Sequence, residues 1–415
     1  MRKEVNESLS RIKQADLVVG IPSYNNASTI GHVVRAVQAG LAKYFPDMRS
    51  VIVNSDGGST DGTVEAFQEA MVEDFNSLFI PHRVGTLHKI YTPYHGIPGK
   101  GSAFRTVFEI ARELDVKACA VMDSDLRSIT PEWIDLLLSP VLKEGYDFCA
   151  PYYLRHKFDG TITNSIVYPL TRALYGKRIR QPIGGDFGFT GKLARLYLED
   201  ESVWESDIAR FGVDIWMTTT AVANGFKVCQ SFLGAKIHAP KEPSSDLSEM
   251  LSQVVGVLFD LMEKYEGGWK EVNGSEPTEM FGFRYDVGLE PIHVDIKRMI
   301  DKFILGREEL GPIWQSALPA SLIWFLHSLK AEPWQEFRLP PDIWAETIYH
   351  FAIAYHRTNI NKKHLLKSLT PLYLARVASF INEALNANAT EVEKMLEDLC
   401  LKFEEKKSEL IELWE

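Results

Sequence analysis

The sequence predicts an α/β protein with a parallel sheet, followed by a mainly helical module. Three observations lead to this prediction. Short apolar runs alternate with helical stretches from residue 16, polar residues follow several of those runs, and the pattern changes near residue 246. Strands that alternate with helices are typical of βαβ units and a parallel sheet. Runs that are apolar throughout indicate a sheet covered by helices on both faces.

The predicted elements of the first part follow in chain order. Strands are expected at residues 17–21, 51–53, 88–91 (within 79–92) and 118–122, and helices at 29–44, 63–72 and 100–114. The apolar residues of 29–44 recur at helical spacing. The first strand is expected to end at Pro22, because proline lacks the N–H that a sheet ladder needs.

The last part of the chain has the periodicity of amphipathic helices. Helices are expected at 246–265, around an apolar stripe at 344–355, around 374–381 and at 391–414. We therefore predict an α/β domain over 1–245 and a helical module over 246–415. The expected role of the helical module is structural or oligomeric, with a homodimer as the expected assembly.

Composition excludes several classes of protein. The 415 residues are 45% apolar and 24% charged, with a formal net charge of −11 and no dense Lys/Arg run, which argues against a nucleic-acid partner. No run reaches the ~18 apolar residues of a membrane span, and residues 1–16 contain no apolar signal core, so we expect no membrane partner and a cytoplasmic location. The four cysteines have no CxxC spacing and are expected to be buried thiols.

The strongest chemical signal is Asp123-Ser124-Asp125, directly after the apolar run 118–122. In an extended segment residues i and i+2 point the same way, so both carboxylates can face one ligand. Two carboxylates this close repel unless a cation lies between them. Mg²⁺ or Mn²⁺ prefers such oxygens and shares itself with substrate phosphates, so the pair suits a metal–diphosphate. The alternative is an Asx turn that closes the strand.

Three further positions complete the candidate site. Asp56 lies in a glycine-rich loop after the second strand and offers acceptors for a base or a ribose hydroxyl. Lys100, between two glycines at a helix start, fits an anion cradle, although a solvated loop lysine is the alternative. His238 follows an apolar run and is expected to be a third metal ligand, although a lone histidine is more often structural.

Taken together, these motifs resemble a known enzyme class. The run Pro22–Asn26 resembles P-x-Y-N-E, with Asn26 in place of the acidic residue. Four later segments also match motifs: D-S-G-S-T-D at 56–61, G-K-G at 99–101, D-S-D at 123–125 and Y-G-V-E/D-I at 211–215. With His238 following, residues 16–240 resemble the GT-A glycosyltransferases. They are most similar to the retaining glucosyl-3-phosphoglycerate, glucosylglycerate and mannosylglycerate synthases. The resemblance implies a GT-A, Rossmann-like nucleotide-sugar-binding domain, with a donor half at about 16–130 and an acceptor half at about 131–245.

The resemblance also implies site residues and ligands. The donor would be a UDP- or GDP-hexose. Its binding residues would be Pro22, Tyr24, Asn26, Asp56, Lys100, Asp123 and Ser124 of the donor half, together with Ile183 of the loop 181–186 on the sugar side. Mg²⁺ or Mn²⁺ would be held by Asp125 and His238, with Asp123 nearby. A small hydroxy-acid acceptor would meet Asp214 and the loop residues Thr161, Thr163 and Asn164. The catalytic candidates are Asp214, Lys100 and Asp186, the last being the nearby acidic residue that a covalent mechanism would need.

The acceptor loop bears on the substrate. Relatives that use phosphoglycerate carry an arginine in a G-R-x-T pattern, and Thr161 stands in its place here. Because an arginine–phosphate contact is strong and bidentate, its absence favours D-glycerate. The alternative is that Arg155, Lys157 or Arg178 supplies the charge.

The expected reaction is therefore transfer of glucose or mannose to the 2-hydroxyl of D-glycerate with retention. Attack on the front face of the sugar is preferred to a covalent intermediate on Asp186. Four alternatives stay open: transfer to 3-phosphoglycerate or glucosyl(phospho)glycerate, an inverting transferase with Asp214 as base, a sugar nucleotidyltransferase, and a non-enzymatic scaffold built on the helices.

Overall fold

A computed structural model describes residues 3–70, 86–238, 247–285, 288–289, 291–357 and 360–415. The chain divides into two compact units. The first comprises Met1–Leu154, Ile183–Ala239 and Thr278–Leu289, and the second comprises Arg155–Pro182, Pro240–Pro277 and Glu290–Glu415. This division differs from the predicted one, because residues 155–182 go with the helices and 278–289 with the sheet. The predicted boundary at 245–246, residues 71–72 of a predicted helix and residues 79–85 lie outside the described residues.

The described residues form ten strands. They are β1 (Leu17–Ser23), β2 (Ser50–Asp56), β3 (Leu87–Pro93), β4 (Ala118–Val121), β5 (Phe148–Leu154), β6 (Lys177–Arg178), β7 (Phe187–Thr190), β8 (Val228–Ala235), β9 (Glu276–Pro277) and β10 (Glu279–Phe281). Eight of them form the sheet of the first unit, in the order β10-β8-β5-β7-β4-β1-β2-β3. The short β6 and β9 pair with each other in the second unit.

The sheet is parallel except at one strand. β7 runs antiparallel to both of its neighbours, β4 and β5, and every other pair is parallel. The carboxyl ends of β1, β2, β4 and β8 therefore meet at one edge, together with the amino end of β7. This confirms the predicted α/β fold, although the sheet was expected to be parallel and contains the antiparallel β7. The polar segments after the predicted strands lie at a common edge.

The strand β1 does not end at Pro22 as predicted, since it continues to Ser23 and pairs Pro22 with Ser55 of β2. On the other side, β4 ends opposite Gly20, whose carbonyl accepts the Met122 N–H at 2.9 Å. By strand alternation the Pro22 nitrogen points to that same side, beyond the end of β4. No ladder hydrogen bond is lost there, so proline is tolerated.

The helices among the described residues are α1 (Lys3–Ile12), α2 (Ala27–Tyr44), α3 (Thr63–Glu69), α4 (Lys100–Glu113), α5 (Glu132–Lys143), α6 (Tyr168–Tyr175), α7 (Gly191–Leu196), α8 (Val213–Ala223), α9 (Ser248–Lys264), α10 (Glu266–Trp269), α11 (Ile296–Glu309), α12 (Gly311–Ala317), α13 (Ala320–Ser328), α14 (Pro341–Arg357), α15 (Lys362–Ala384), α16 (Ala389–Glu405) and α17 (Lys407–Trp414). In the described part of the chain, none of these is both long and apolar enough to cross a bilayer.

Helices cover both faces of the sheet, as the apolar strands predict. Leu17, Val19 and Ile21 of β1 join α2 and α5 in the main apolar core. The alternate residues Val18 and Gly20 point to the opposite face, and α4 packs against β1 and β2. The strands are thereby buried on both sides, which leaves their ends as the places where polar groups can gather.

The second unit is helical, as predicted from the amphipathic stripes. The predicted helix at 391–414 is two helices, α16 and α17, separated at Lys406. Residues 155–182 belong to this unit through α6. There the fully buried Arg172 pairs with Glu397 at 2.5 Å and Glu404 at 2.7 Å of α16. A buried guanidinium needs such carboxylates, so this contact ties α6 to α16.

Candidate functional site

Two loops at the carboxyl edge of the sheet are joined through Asn26. Its N–H donates to Thr63 Oγ1 at 2.7 Å, which links the loop after β1 to the start of α3. Its side-chain oxygen accepts from the Tyr24 N–H at 3.0 Å and from Ser124 Oγ at 2.8 Å. Asn26 and Ser124, both predicted to line the donor, therefore form a bridge between the loop after β1 and the Asp123–Asp125 segment.

Asp56 organises its own loop rather than offering free acceptors. It is 1% exposed. One carboxylate oxygen accepts the N–H groups of Gly58 and Ser59, each at 2.8 Å. The other accepts the hydroxyls of Ser23 at 2.7 Å and Ser59 at 2.6 Å. The expectation that Asp56 binds a base or ribose directly is corrected, because four hydrogen bonds from the chain occupy both of its oxygens.

Tyr24 is the most exposed of the predicted donor residues. It is 63% exposed and its ring lies beside Gly57. Pro22 is buried in the strand below, and Ile183 on the sugar-side loop is partly exposed. An exposed aromatic ring at the carboxyl edge of a parallel sheet is suited to stack on a planar ligand.

The centre of the site is a cluster of two lysines and three carboxylates. Lys100 Nζ lies 2.8 Å from Asp123 Oδ1 and 3.1 Å from Asp214 Oδ2. Lys236 Nζ lies 2.7 Å from Asp123 Oδ2 and 2.8 Å from Asp186 Oδ2. Two positive charges thus face three negative ones in a part of the first unit with little access to water. The cluster joins the start of α4, the ends of β4 and β8, the start of β7 and the start of α8.

Lys100 is fixed by the glycines that flank it. Gly101 donates its N–H to the Arg210 carbonyl at 3.1 Å, and a side chain at Gly101 would overlap the Ile208 carbonyl. The two glycines therefore let the segment 208–210 approach the first turn of α4, and that segment leads directly into α8 and Asp214. Burial alone would lower the pKa of Lys100, but the carboxylates of Asp123 and Asp214 raise that pKa above its usual value. The alternative of a solvated loop lysine is wrong.

The two aspartates of Asp123-Ser124-Asp125 differ in their surroundings. Burial alone would raise the pKa of Asp123, but Lys100 and Lys236 hold that pKa well below its usual range. Each Asp123 oxygen accepts a hydrogen bond from a lysine, and the role of Asp123 at the metal stays a prediction. The partly exposed Asp125 side chain makes no hydrogen bond or ion pair within the described residues. It is the carboxylate of the pair that is available to a cation.

Asp186 is placed to support Asp123, not to attack a sugar. It is fully buried. One oxygen accepts the Asp123 N–H at 2.7 Å, and the other accepts from Tyr153 Oη and Lys236. Burial raises the pKa of Asp186 above its usual value. The prediction that Asp186 could act as a covalent nucleophile is therefore corrected, because the carboxylate is buried and both of its oxygens accept hydrogen bonds from the chain.

Lys236 is the residue of this cluster that sequence reasoning missed. It follows the apolar run of β8, where a lysine normally indicates that the chain has reached solvent, yet its side chain is 4% exposed. One signal was present in the sequence. Lys236 lies two residues before His238 and so points the same way in an extended segment.

Asp214 has one oxygen without a partner. It lies in the first turn of α8, is buried, and directs Oδ2 to Lys100. Its Oδ1 is buried and has no hydrogen-bond partner among the described residues. Burial raises the pKa of Asp214 above its usual value. A buried carboxylate oxygen without a donor is costly, so this atom is suited to receive a hydroxyl from a ligand.

Asp125 and His238 come from neighbouring segments. The Arg127 N–H donates to the Ile237 carbonyl at 2.8 Å, and Arg127 Nη2 donates to the His238 carbonyl at 3.3 Å. No group of three or more His, Cys, Asp or Glu side chains arranged to hold a metal occurs in the described ranges. The backbone segments that carry Asp125 and His238 are nevertheless adjacent, and one carboxylate with one imidazole would suit a divalent cation that takes its other ligands from substrate phosphates and water.

The predicted acceptor loop belongs to the second unit, and its residues are largely occupied there. Thr161 is buried and its hydroxyl lies 2.5 Å from Tyr373 Oη, so its predicted contact with the acceptor is corrected. The Asn164 side chain donates to the Asp159 carbonyl at 3.1 Å and accepts from Arg180 at 2.9 Å. Thr163 is partly exposed and opens the π-helical turn Thr163–Val167.

Comparisons with known proteins give one family and a set of solved structures. The sequence model of the family described as mannosylglycerate synthase, GT domain, matches residues 27–259, more than half of the chain. A search of curated protein sequences finds no match.

The similar solved structures include glucosyl-3-phosphoglycerate synthase from Mycobacterium tuberculosis in several complexes. The complex with Mn²⁺, UDP and glucosyl-3-phosphoglycerate is 20% identical, with 63% of this chain and 84% of that chain covered and a TM-score of 0.44. The complex with Mg²⁺ and UDP is 19% identical, with 63% and 83% covered and a TM-score of 0.44.

Proposed function

Because the chain belongs to the mannosylglycerate synthase family of GT-A glycosyltransferases, we propose that it transfers a hexose from a nucleoside diphosphate sugar to the 2-hydroxyl of D-glycerate with retention. The observation that carries the proposal is the buried cluster at the carboxyl edge of the sheet. Lys100 lies between Asp123 and Asp214, and Asp214 Oδ1 lacks a donor. A lysine beside an unpartnered carboxylate oxygen suits a site where an anionic donor meets a hydroxyl-bearing acceptor.

The donor would lie along the loops after β1, β2 and β4. Tyr24 offers an exposed ring for the base, and Asn26 and Ser124 hold the loops beneath it. Lys100 supplies a positive charge beside the diphosphate, where negative charge develops as the sugar leaves.

Asp125 and His238 would hold Mg²⁺ or Mn²⁺. When bound, the ion neutralises charge on the leaving diphosphate. The unengaged Asp125 carboxylate and the adjacent His238 segment support this assignment. Asp123, whose oxygens contact Lys100 and Lys236, would hold these two lysines in place beside the donor.

Retention is proposed to proceed by front-face attack. Asp186 is buried and engaged, which removes the nearby carboxylate that a covalent intermediate would need. The proton of the acceptor hydroxyl would pass to the leaving phosphate oxygen, so no protein base is required. Asp214 would accept a hydrogen bond from an acceptor hydroxyl and orient it, and orientation contributes a large part of such rate enhancements.

D-glycerate is proposed over phosphoglycerate because the alternative sources of charge are engaged. All three N–H groups of Lys157 are used by the carbonyls of Ala384, Leu385 and Ala387, at 2.8, 2.9 and 3.1 Å. Arg155 pairs with Asp159 at 3.3 Å, and Arg178 donates to Ser275 at 3.1 Å. Thr161 carries no charge and is bonded to Tyr373.

The proposal is tested by a donor-by-acceptor screen with Mg²⁺ or Mn²⁺. UDP- and GDP-hexoses are offered against glycerate, 3-phosphoglycerate and glucosylglycerate, and the released nucleotide and the anomeric configuration of the product are measured. We expect nucleoside diphosphate release and an α-linked product from an α-linked donor with glycerate. A β-linked product would contradict retention, release of pyrophosphate would indicate a nucleotidyltransferase, and no turnover with any pair would overturn the acceptor assignment.

Tyr24→Ala is expected to weaken donor binding with little change in kcat. Stacking of a base on an aromatic side chain contributes about 1–3 kcal/mol, so KM for the donor should rise by about 5- to 150-fold. Tyr24→Phe is the matched control, because it keeps the ring and should keep the wild-type KM. An unchanged donor KM in the alanine variant would place the base elsewhere.

Asp214→Asn is expected to lower activity by about 10- to 100-fold, the contribution of one hydrogen bond to a charged group, and to remove the acidic limb of the pH–rate profile. Asp214 must be ionised to pair with Lys100, and burial raises its pKa above 3.8, so wild-type activity should fall as the pH drops through this raised value. The asparagine variant cannot titrate there and should lose that limb.

The Asp214→Asn variant also tests the alternative of an inverting transferase. In that mechanism the unpartnered Asp214 Oδ1 would be the atom that accepts the proton of the acceptor hydroxyl. As a general base Asp214 would be required for the reaction, and the product would be β-linked. Residual activity of the asparagine variant with an α-linked product would exclude that alternative.

A further inference from the structure

The buried lysine at the end of β8 has every donor in use. Lys236 Nζ donates to Asp123 Oδ2 at 2.7 Å, to the Gly184 carbonyl at 2.7 Å and to Asp186 Oδ2 at 2.8 Å. A lysine has three N–H donors, and these three acceptors satisfy all of them. With its side chain 4% exposed, Lys236 is not placed to touch a substrate.

These contacts fix Asp123 from several sides. Lys100 holds Oδ1, Lys236 holds Oδ2, and Asp186 accepts the Asp123 N–H. Gly185, at a φ of +91°, passes so close that a side chain there would overlap Asp123 Oδ2. These contacts fix the orientation of the carboxylate and place a positive charge beside each of its oxygens, which opposes a cation there.

We propose that Lys236 is a positioning residue that keeps Asp123 off the divalent metal, so that Asp125 is the carboxylate that binds it. The proposal rests on the metal site of the proposed function. Lys236 acts in two ways. It holds Asp123 Oδ2 at 2.7 Å, and its positive charge there opposes a second cation on that oxygen.

Without Lys236, Asp123 Oδ2 becomes an available ligand and one opposing charge is lost, so Mn²⁺ should bind more tightly. The donor would then be held in a displaced geometry, so turnover should fall. If Lys236 only stabilised the fold, its loss would weaken Mn²⁺ binding, because a less ordered site binds an ion less tightly.

The experiment compares Mn²⁺ binding and turnover in the full-length protein. Mn²⁺ affinity is measured from the free-ion electron paramagnetic resonance signal, without sugar or acceptor. For Lys236→Met we expect about tenfold tighter Mn²⁺ binding, the size of effect that one nearby unit charge produces at a partly exposed site. The value of kcat should fall about 100-fold, as for small misplacements of reacting groups. Lys236→Leu, which also removes the charge and every donor, serves as the second variant if the methionine variant does not fold.

A double variant isolates the role of Asp123. Adding Asp123→Asn to Lys236→Met should return Mn²⁺ affinity to the wild-type value or below, because the released oxygen is no longer anionic. Lys407→Met is the matched control for loss of a buried lysine, since Lys407 donates to the Val272 carbonyl in the second unit. That variant should bind Mn²⁺ as the wild type does.

Unchanged or weaker Mn²⁺ binding in a folded Lys236 variant would overturn the inference. Tighter binding that persists in the double variant would do the same. The proposed function fails separately, through absence of turnover by the wild-type protein, because the Mn²⁺ comparison needs neither sugar nor acceptor.

Discussion

Asp125→Asn is expected to lower kcat/KM by about a thousandfold and to raise the Mn²⁺ concentration needed for half-maximal activity. Loss of a metal that stabilises a leaving diphosphate removes several kcal/mol of transition-state stabilisation, and each 1.36 kcal/mol is tenfold in rate. The reason lies in the asymmetry of the pair. Asp123 is held by two lysines, whereas the Asp125 side chain has no partner in the described ranges.

The measurement is a Mn²⁺ titration of initial rate, with the direct Mn²⁺ binding signal recorded in parallel. Asp115→Asn is the matched control, because Asp115 precedes the amino end of β4, is exposed, and pairs with Arg195 at 2.8 Å. It should keep wild-type rates and metal dependence. Wild-type metal dependence in the Asp125 variant would show that the ion is held by other groups.

Lys100→Met is expected to lower kcat by about a thousandfold or more and also to destabilise the protein. The kinetic loss follows from removing a positive charge beside the leaving diphosphate, in a buried site where charges interact strongly. The loss of stability follows because Asp214 would lose its cation. Removing one partner of a buried ion pair typically costs about 3–5 kcal/mol.

These two effects can be separated. Adding Asp214→Asn to Lys100→Met removes the uncompensated carboxylate and should restore part of the unfolding free energy while leaving kcat low. Thermal unfolding and single-turnover kinetics report the two quantities independently. Lys117→Met serves as the control, because Lys117 is exposed and pairs with Asp16 at 3.1 Å beside the amino end of β4. Recovery of turnover in the double variant would contradict a direct role for Lys100 in catalysis.

Much of the fold was predictable because its strands are apolar on both faces. The runs at 17–21, 51–53 and 118–122 carry no polar residue until they end, so both their position and the common edge follow from simple patterning. β7 could not be placed in this way. It has four residues, Phe187–Thr190, and its antiparallel direction depends on pairing with β4 and β5, which are distant in sequence.

The candidate site was predictable where a residue type is unusual for its position. Lys100 between glycines and the aspartates after β4 stand out in this sense. The sequence did not indicate that both Asp56 oxygens would accept hydrogen bonds from the following loop, or that Thr161 would hydrogen-bond to Tyr373. These partners depend on local turns and on helix packing. Lys236 was missed for a related reason, because burial of a lysine is favourable only when carboxylates from distant segments already surround it.

The span of this cluster along the chain has a consequence for folding. Asp123 meets Asp186 across 63 residues and Lys236 across 113 residues. Closing such long loops costs entropy before any contact compensates for it, so contacts of this kind form late. A nascent chain that has released only β1 to β4 would carry Lys100 and Asp123 without Lys236, Asp186 or Asp214. The ability to bind the ligands should therefore appear in one step, once β7 and β8 join the sheet, and should not increase with each added strand.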